Sequence, residues 1–202
     1  MIFHPKYGND FPIRKLVRLS EIDENAGESN ERRNVAVAYE PTRLERLLLR
    51  LEAQHKSLNW AFGEIRDKPG PVFELGLGHG RTYDHMRRHL PGREIFVFDR
   101  EIDCFPDCTP PAEDFILGKL SDTLPEARHR FAGKAVLVNS DVGTYDEALN
   151  GEMADVVSAA LPALLAPGAI VLSDLPLTLP DASALPLPPG VRSVRYFVYR
   201  AA

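Results

Sequence analysis

The chain has 202 residues, 44% of them hydrophobic and 26% charged, so it can bury one sizeable core but is short for two domains. Its net charge of -5 argues against a dedicated nucleic-acid binder, because neutralising phosphates normally takes clustered lysine and arginine. No apolar run reaches the ~20 residues of a membrane span, and the polar residues 4–10 argue against a secretory signal. We therefore expect a cytoplasmic protein with a small-molecule substrate and without nucleic-acid or membrane partners.

Residues 1–40 are rich in charge and contain only short apolar patches, which predicts an N-terminal extension that is ordered only in part. The pattern changes at Pro41. Thr42 and Glu45 form the signature of a capping box, and apolar residues then recur at helical spacing as far as Gly63. A long amphipathic helix should therefore lead into the first strand, and residues 41–202 are predicted to form a single domain.

The segment from Val72 to Asp99 carries the strongest signal in the chain. An apolar run containing one acid, Glu74, enters a glycine-rich turn, a stretch of helical length follows, and a second apolar run ends on Asp99. The glycines of the turn are Gly76, Gly78 and Gly80. Glycine lets the chain bend sharply and lets backbone N–H groups approach a ligand. The pattern predicts a βαβ unit that holds a nucleoside, with Asp99 accepting the ribose hydroxyls.

Strands and helices continue to alternate after this unit. Further strands are predicted at residues 115–117, 135–138 and 169–172, and the Thr-x-x-Glu patterns at Thr123 and Thr144 predict the starts of two helices. Such alternation is typical of an α/β, Rossmann-like sheet that is mostly parallel and covered by helices on both faces. Five prolines between residues 176 and 189 disfavour a central strand. Within this C-terminal tail only residues 191–199 are predicted to form a strand, so the C-terminal edge of the sheet is expected to be trimmed.

Two classes of cofactor use such a layout. A nicotinamide site favours G-x-G-x-x-G, but Arg81 stands where the third small residue would be. The glycines fall instead as G-x-G-x-G, and Glu74 lies two residues before the first of them. This arrangement resembles motif I of the class I S-adenosylmethionine-dependent methyltransferases, in which the acid helps to hold the methionyl part of the cofactor. A nicotinamide-dependent oxidoreductase is the less favoured alternative.

A wider resemblance runs from about Leu44 to the C-terminus. On the motifs PGPVFELGLGHGRTYDH, REIFVFDR and ILGKLSDTLP, the chain is similar to a small group of bacterial S-adenosylmethionine methyltransferases. The resemblance implies methyl transfer with S-adenosyl-L-methionine as the cofactor. It also implies that the C-terminal edge of the sheet is antiparallel. Lys119 stands where an acid often meets the adenine, so backbone groups of residues 118–120 are expected there instead. The expected cofactor contacts are Glu74, Gly76, Gly78, Gly80, Thr82, Asp99, Arg100, Gly118, Lys119, Leu120 and Asp141.

Catalytic residues can be few in such an enzyme, because methyl transfer from a sulfonium mainly requires alignment of the nucleophile and exclusion of water. The candidates stand where strands end at the ligand crevice. They are His79 in the glycine-rich turn, and Asp141 and Tyr145 after the fourth strand. Because no catalytic signature stands out, a non-catalytic cofactor-binding protein, a sensor or a partner subunit, remains an alternative. Assembly of identical chains stays open.

No metal is expected. Asp141 and Asp174 resemble the paired acids of metal-dependent catechol-type O-methyltransferases, but Leu175 follows where that family commonly has Asn. Cys104 and Cys108 lack the second pair of ligands that a zinc site needs. We expect Asp141 and Asp174 to cap helices or to contact the cofactor.

Overall fold

The computed structural model describes residues 40–192 and 195–202. The predicted N-terminal extension therefore lies outside the described residues, apart from Glu40. The helices and strands are α1 Arg43–Glu64, β1 Val72–Leu75, α2 Arg81–His89, β2 Ile95–Asp99, β3 Phe115–Leu117, α3 Leu120–Phe131, β4 Ala135–Ser140, α4 Glu147–Ala160, β5 Leu165–Ser173, β6 Ala182–Leu185 and β7 Phe197–Ala201.

All of these strands belong to one sheet, in the order β3-β2-β1-β4-β5-β7-β6. Strands β1 to β5 are parallel, and β7 runs antiparallel to both β5 and β6. One apolar cluster packs α3 and α4 on one face, and a second packs α1 and α2 on the other. This confirms the predicted Rossmann-like α/β fold. The strand order reverses direction at β1 and β4, which is where a sheet of this kind opens a ligand crevice.

The C-terminal edge differs from the expected trimming to one strand. It contains two strands, because β6 occupies four residues between Pro180 and Pro186. As the outermost strand of the sheet, β6 hydrogen-bonds on one side only, so prolines at its ends do not interrupt the ladder. The prolines therefore flank the strand and do not replace it.

Helix α1 begins at the predicted capping box. The Glu45 N–H donates to the Thr42 hydroxyl at 3.3 Å, and the Thr42 N–H donates to the Glu45 carboxylate at 2.8 Å. Its second half is buried on the sheet, through Leu58 and Ala61 among others. Its first half instead exposes four leucines, Leu44, Leu47, Leu48 and Leu51.

Within the described residues, no helix combines the length and apolar character needed to cross a bilayer.

A chain of hydrogen bonds connects β1, β4, α2 and the residue before β7 at the carboxyl edge of the sheet. Glu74 of β1 accepts hydrogen bonds from the Thr82 hydroxyl of α2 and, at 2.8 Å, from the Asn139 amide of β4. The hydroxyl of Tyr196, the residue just before β7, donates to the side-chain amide oxygen Oδ1 of Asn139 at 3.3 Å. Burial raises the pKa of Glu74 to about 8, so this carboxyl is mostly protonated at neutral pH.

Replacing Glu74 by Gln should flatten the dependence of stability on pH. The pKa of Glu74 rises from 4.5 to about 8 on folding, so the folded protein keeps a proton that the unfolded chain releases in this window. The free energy of unfolding should therefore fall by a few kcal/mol as the pH rises from 4.5 to about 8. Glutamine is neutral throughout, so the Glu74→Gln variant should lose this slope in urea unfolding at several pH values. The exposed Glu113→Gln serves as the control, and equal slopes for Glu74→Gln and wild type would contradict the assignment.

Candidate functional site

The glycine-rich turn joins β1 to α2 with three glycines in the left-handed region, at φ +85 for Gly76, +47 for Gly78 and +79 for Gly80. A Cβ on Gly76 would lie 2.6 Å from the carbonyl oxygen of Asp141, so a side chain there would push the two segments apart. A Cβ on Gly78 would meet nothing within 4 Å. Gly78 is therefore the point of the turn that is open to an approaching ligand.

Asp99, at the end of β2, organises this turn. One oxygen of its carboxylate accepts the N–H groups of Leu77 and Gly78, at 2.6 and 3.4 Å. The other oxygen accepts those of Arg100 and Glu101, at 2.7 and 3.4 Å. The sequence predicted Asp99 only as a ribose ligand. The spacing of residues along the chain did not indicate that its carboxylate also holds the turn.

The loop after β3 lies beside the same acid. The Gly118 N–H donates to the backbone carbonyl of Asp99 at 2.9 Å, which places residues 118–120 next to the end of β2. Helix α3 begins at Leu120 after an N-cap at Lys119, and not at the predicted Thr123. The Thr123 hydroxyl instead donates to the backbone carbonyl of Lys119 at 3.1 Å. The Lys119 side chain is exposed to solvent. The backbone of this loop is therefore the part that lies beside Asp99.

Asp141 flanks the turn on its other side, after β4. Its N–H donates to the carbonyl of Leu75 at 3.0 Å, so its backbone lies against the end of β1. Its carboxylate forms an ion pair with Arg50 of α1, with 2.6 Å between Oδ1 and Nη2. Arg50 is one of several arginines on the polar face of that helix, and its spacing carried no signal that would have singled it out.

Asp174, which follows β5, is held by the chain that follows β4. Its two carboxylate oxygens accept the N–H groups of Val142 and Gly143, at 3.2 and 2.8 Å. Burial, and next the charge of Asp141, raise the pKa of Asp174 to about 6. Asp141 and Asp174 thus have different partners. Among the described residues, no three His, Cys, Asp or Glu side chains are arranged to hold a metal ion.

The three catalytic candidates have different surroundings. The His79 ring is 3.4 Å from the carbonyl of Asp103 through Nδ1 and contacts the Phe105 ring, so it leans toward the β2 side of the turn. Tyr145 is fully exposed beyond β4. Asp141 is the candidate that the fold brings against the glycine-rich turn.

Two further residues of the predicted site hydrogen-bond to each other next to the turn. Glu74 and Thr82, both expected to contact the cofactor, belong to the chain of hydrogen bonds described above. Tyr196 also belongs to this chain, and the sequence offered no sign of it because it follows the proline-rich tail. These residues support the turn.

The chain is similar to proteins of known family and structure. The sequence profile of the S-adenosyl-L-methionine methyltransferase family matches residues 41–201. The S-adenosyl-L-methionine methyl transferase of Silicibacter pomeroyi DSS-3 is 39% identical, with a TM-score of 0.78 over 81% of this chain and 100% of that one. TrmN of Thermus thermophilus, at 16% identity and a TM-score of 0.51 over 78% of this chain and 49% of its own, shows the fold alone.

A search of curated proteins found no match. The family profile nevertheless spans most of the chain, and the Silicibacter pomeroyi protein matches over its whole length. The chain therefore belongs to the S-adenosyl-L-methionine methyltransferase family and uses S-adenosyl-L-methionine as its cofactor.

Proposed function

We propose that this protein transfers a methyl group to a small-molecule acceptor and that its cofactor lies across the ends of β1 and β2. The observation that carries the proposal is the open side of Gly78 next to the Asp99 carboxylate. Residues 41–202 are proposed as the domain that does this, with residues 1–40 as an extension.

Asp99 is proposed to hold the ribose. Two of its four hydrogen bonds, those from Gly78 and Glu101, are long at 3.4 Å. Bonds of this length are weak, so ribose hydroxyls can replace them at little cost. The two short bonds would keep the turn in place.

The other proposed contacts follow from the neighbours of Asp99. The backbone of residues 118–120 faces the adenine, and Asp141 lies toward the methionyl end. Arg100 lies at the start of the loop after β2. The residues proposed to contact the cofactor or to support its contacts are Glu74, Gly76, Gly78, Gly80, Thr82, Asp99, Arg100, Gly118, Lys119, Leu120 and Asp141.

When bound, S-adenosyl-L-methionine supplies an electrophilic methyl group on a sulfonium. The chain has to align the acceptor with it and exclude water. Asp174 contributes by fixing Val142 and Gly143, and so the course of the chain from Asp141 toward Tyr145. Of the two loop residues, Gly143 lies against Asp174, because a Cβ there would be 2.3 Å from the Asp174 carboxylate and would displace it.

Calorimetry with S-adenosylmethionine, S-adenosylhomocysteine and NAD tests the cofactor. Binding of the first two without NAD is the expected result, and binding of NAD alone would refute the proposal. Transfer of a labelled methyl group to a panel of hydroxyl, amine and thiol acceptors then tests catalysis. Tight cofactor binding with no transfer to any acceptor would favour the non-catalytic sensor or partner subunit.

Gly78→Val should abolish binding of S-adenosylhomocysteine while the protein stays folded, because the side chain would fill the open side of the turn. Gly92→Val is a matched control. Gly92 also has a positive φ, at +79, and its Cβ would also meet nothing within 4 Å, but it lies in the turn before β2 at the opposite edge of the sheet. The two variants should therefore carry a similar backbone strain.

Calorimetry and circular dichroism measure the two effects. Equal affinity of Gly78→Val and Gly92→Val for S-adenosylhomocysteine would show that the cofactor does not pass over the turn. A Gly78→Val protein that unfolds would be replaced by Gly78→Asn, since asparagine tolerates the left-handed region best after glycine.

Asp99→Ala should weaken S-adenosylhomocysteine binding by about 10- to 100-fold, the cost of losing charge-assisted hydrogen bonds. The variant also frees the turn that Asp99 holds. Asp99→Asn keeps one acceptor oxygen and should recover part of the affinity. Asp103→Ala, which removes an exposed acid from the following loop, is the control. Wild-type affinity in Asp99→Ala would place the ribose elsewhere.

Magnesium should not stabilise the protein, because Asp141 is paired with Arg50 and both oxygens of Asp174 accept loop N–H groups. Mg²⁺ requires oxygen ligands in near-octahedral geometry, which these carboxylates could supply only by giving up their partners. The melting temperature of chelator-treated protein should stay unchanged on adding Mg²⁺. An increase that Asp141→Asn removes would reveal a metal site.

A further inference from the structure

The third glycine of the glycine-rich turn faces two cysteines of the loop after β2. A Cβ on Gly80 would lie 2.6 Å from the Cβ of Cys108 and 3.3 Å from the Cβ of Cys104. The sum of these two distances sets an upper limit of about 5.9 Å on the separation of the two cysteine Cβ atoms. A disulfide places its Cβ atoms about 3.5 to 4.5 Å apart, so a shift of about 1.5 Å at most brings the pair within range.

The chain between the cysteines already bends back on itself. Residues Pro106–Cys108 form one tight helical turn, and the Cys108 N–H donates to the carbonyl of Phe105 at 2.8 Å. The guanidinium of Arg87, on α2, donates to the carbonyl of Asp107 and holds this segment against the helix. The chain contains two cysteines and both are free thiols, so each has the other as its one possible disulfide partner within the chain.

The two thiols differ in their access to solvent. Cys104 is half-buried, whereas Cys108 is 6% exposed. Burial, and next the charge of Asp107, raise the pKa of the Cys108 thiol and keep it protonated. Each sulfur has a weak polar partner, at 3.5 Å in the Thr109 hydroxyl for Cys104 and at 3.9 Å in the Asp107 carboxylate for Cys108. An oxidant therefore reaches Cys104 first, with Cys108 placed behind it.

The segment between the cysteines is also hydrogen-bonded to the glycine-rich turn. The Phe105 N–H donates to the carbonyl of His79 at 3.3 Å, and the centroids of the two rings are 5.6 Å apart. His79 stands between Gly78, the open point of the turn, and Gly80. A movement of the cysteines is therefore passed on to the part of the turn where a ligand approaches.

We propose that Cys104 and Cys108 form a reversible disulfide that lowers the affinity of the glycine-rich turn for the cofactor. The oxidant is a peroxide. The sulfur of Cys104 attacks one oxygen of the peroxide, the O–O bond breaks, and water leaves with the thiol proton, which gives a sulfenic acid. The sulfur of Cys108 then attacks the sulfenic sulfur, the S–O bond breaks, and a second water carries away the Cys108 proton. Each sulfur loses one electron as the peroxide is reduced to water.

Closing the disulfide changes the shape of the turn. Both cysteines shift beside Gly80, and the Phe105 hydrogen bond draws the carbonyl of His79 with them. The backbone donors that the Asp99 carboxylate holds then lose their alignment, and the turn is no longer preorganised for its ligand. The effect on the cofactor rests on the proposed function, whereas formation of the disulfide does not depend on it.

Treatment with hydrogen peroxide tests the disulfide, and calorimetry tests its effect. The peptide that contains both cysteines should lose two hydrogens in mass. Both thiols should disappear together and return with dithiothreitol, because a disulfide is reducible and a sulfinic acid is not. The oxidised protein should bind S-adenosylhomocysteine about 10-fold more weakly than the reduced protein, which is within the usual range for coupling between two sites.

Cys104→Ser removes the attacked thiol and is the matched control, so its affinity should be the same before and after peroxide. Cys108→Ala removes the second thiol, so Cys104 should gain oxygen in place of losing hydrogen. Oxidation of the wild type without loss of two hydrogens would overturn the proposal. So would a disulfide that leaves the affinity unchanged, or an equal loss of affinity in peroxide-treated Cys104→Ser. Reduced wild type that fails to bind S-adenosylhomocysteine would instead refute the proposed function, and the mass of the peptide would still decide the disulfide.

Discussion

The carboxyl edge of the sheet depends on one buried acid. Glu74 sits at the end of β1 without exposure to solvent, and its hydrogen bonds to Thr82 and Asn139 connect the central strand to α2 and β4. Tyr196 extends the connection to the approach of β7. An ionised carboxylate at this depth would be costly, so the fold keeps the group neutral and uses it to fix distances between elements. The glycine-rich turn lies between Glu74 and Thr82 in the chain, so the hydrogen bond between them fixes both ends of the turn.

The turn is shaped before any ligand arrives. The Asp99 carboxylate holds the N–H groups of Leu77 and Gly78, so backbone donors that would otherwise need ordering are already in place. A ligand that replaces the longer of these hydrogen bonds loses little free energy to ordering of the loop. Such preorganisation increases affinity. Because Gly118 is tied to the backbone of the same acid, the adenine side of the proposed site is positioned by the same residue.

Local patterns in the sequence sufficed for most of the fold. The capping box at Thr42 and the glycine-rich turn depend on neighbours in the chain, so their spacing reveals them. Sequence spacing failed where tertiary contacts decide. Helix α3 begins after Lys119, next to Gly118, which hydrogen-bonds to Asp99 of β2, and not at Thr123. Arg50 meets Asp141 across 91 residues. The order of the strands in the sheet brings such residues together, and the spacing of residues along the chain does not reveal that order.

The outermost strands have a consequence for how this protein can associate. β3 spans only three residues and β6 only four, so each open edge of the sheet presents a very short ladder. Long unpaired edges invite strands from other molecules, and short ones bounded by proline discourage this. The prolines at either end of β6 stop an incoming strand from extending the pairing beyond that segment. Edge-to-edge fibrillar growth is thereby disfavoured at the antiparallel edge, even though four leucines of α1 remain in contact with water.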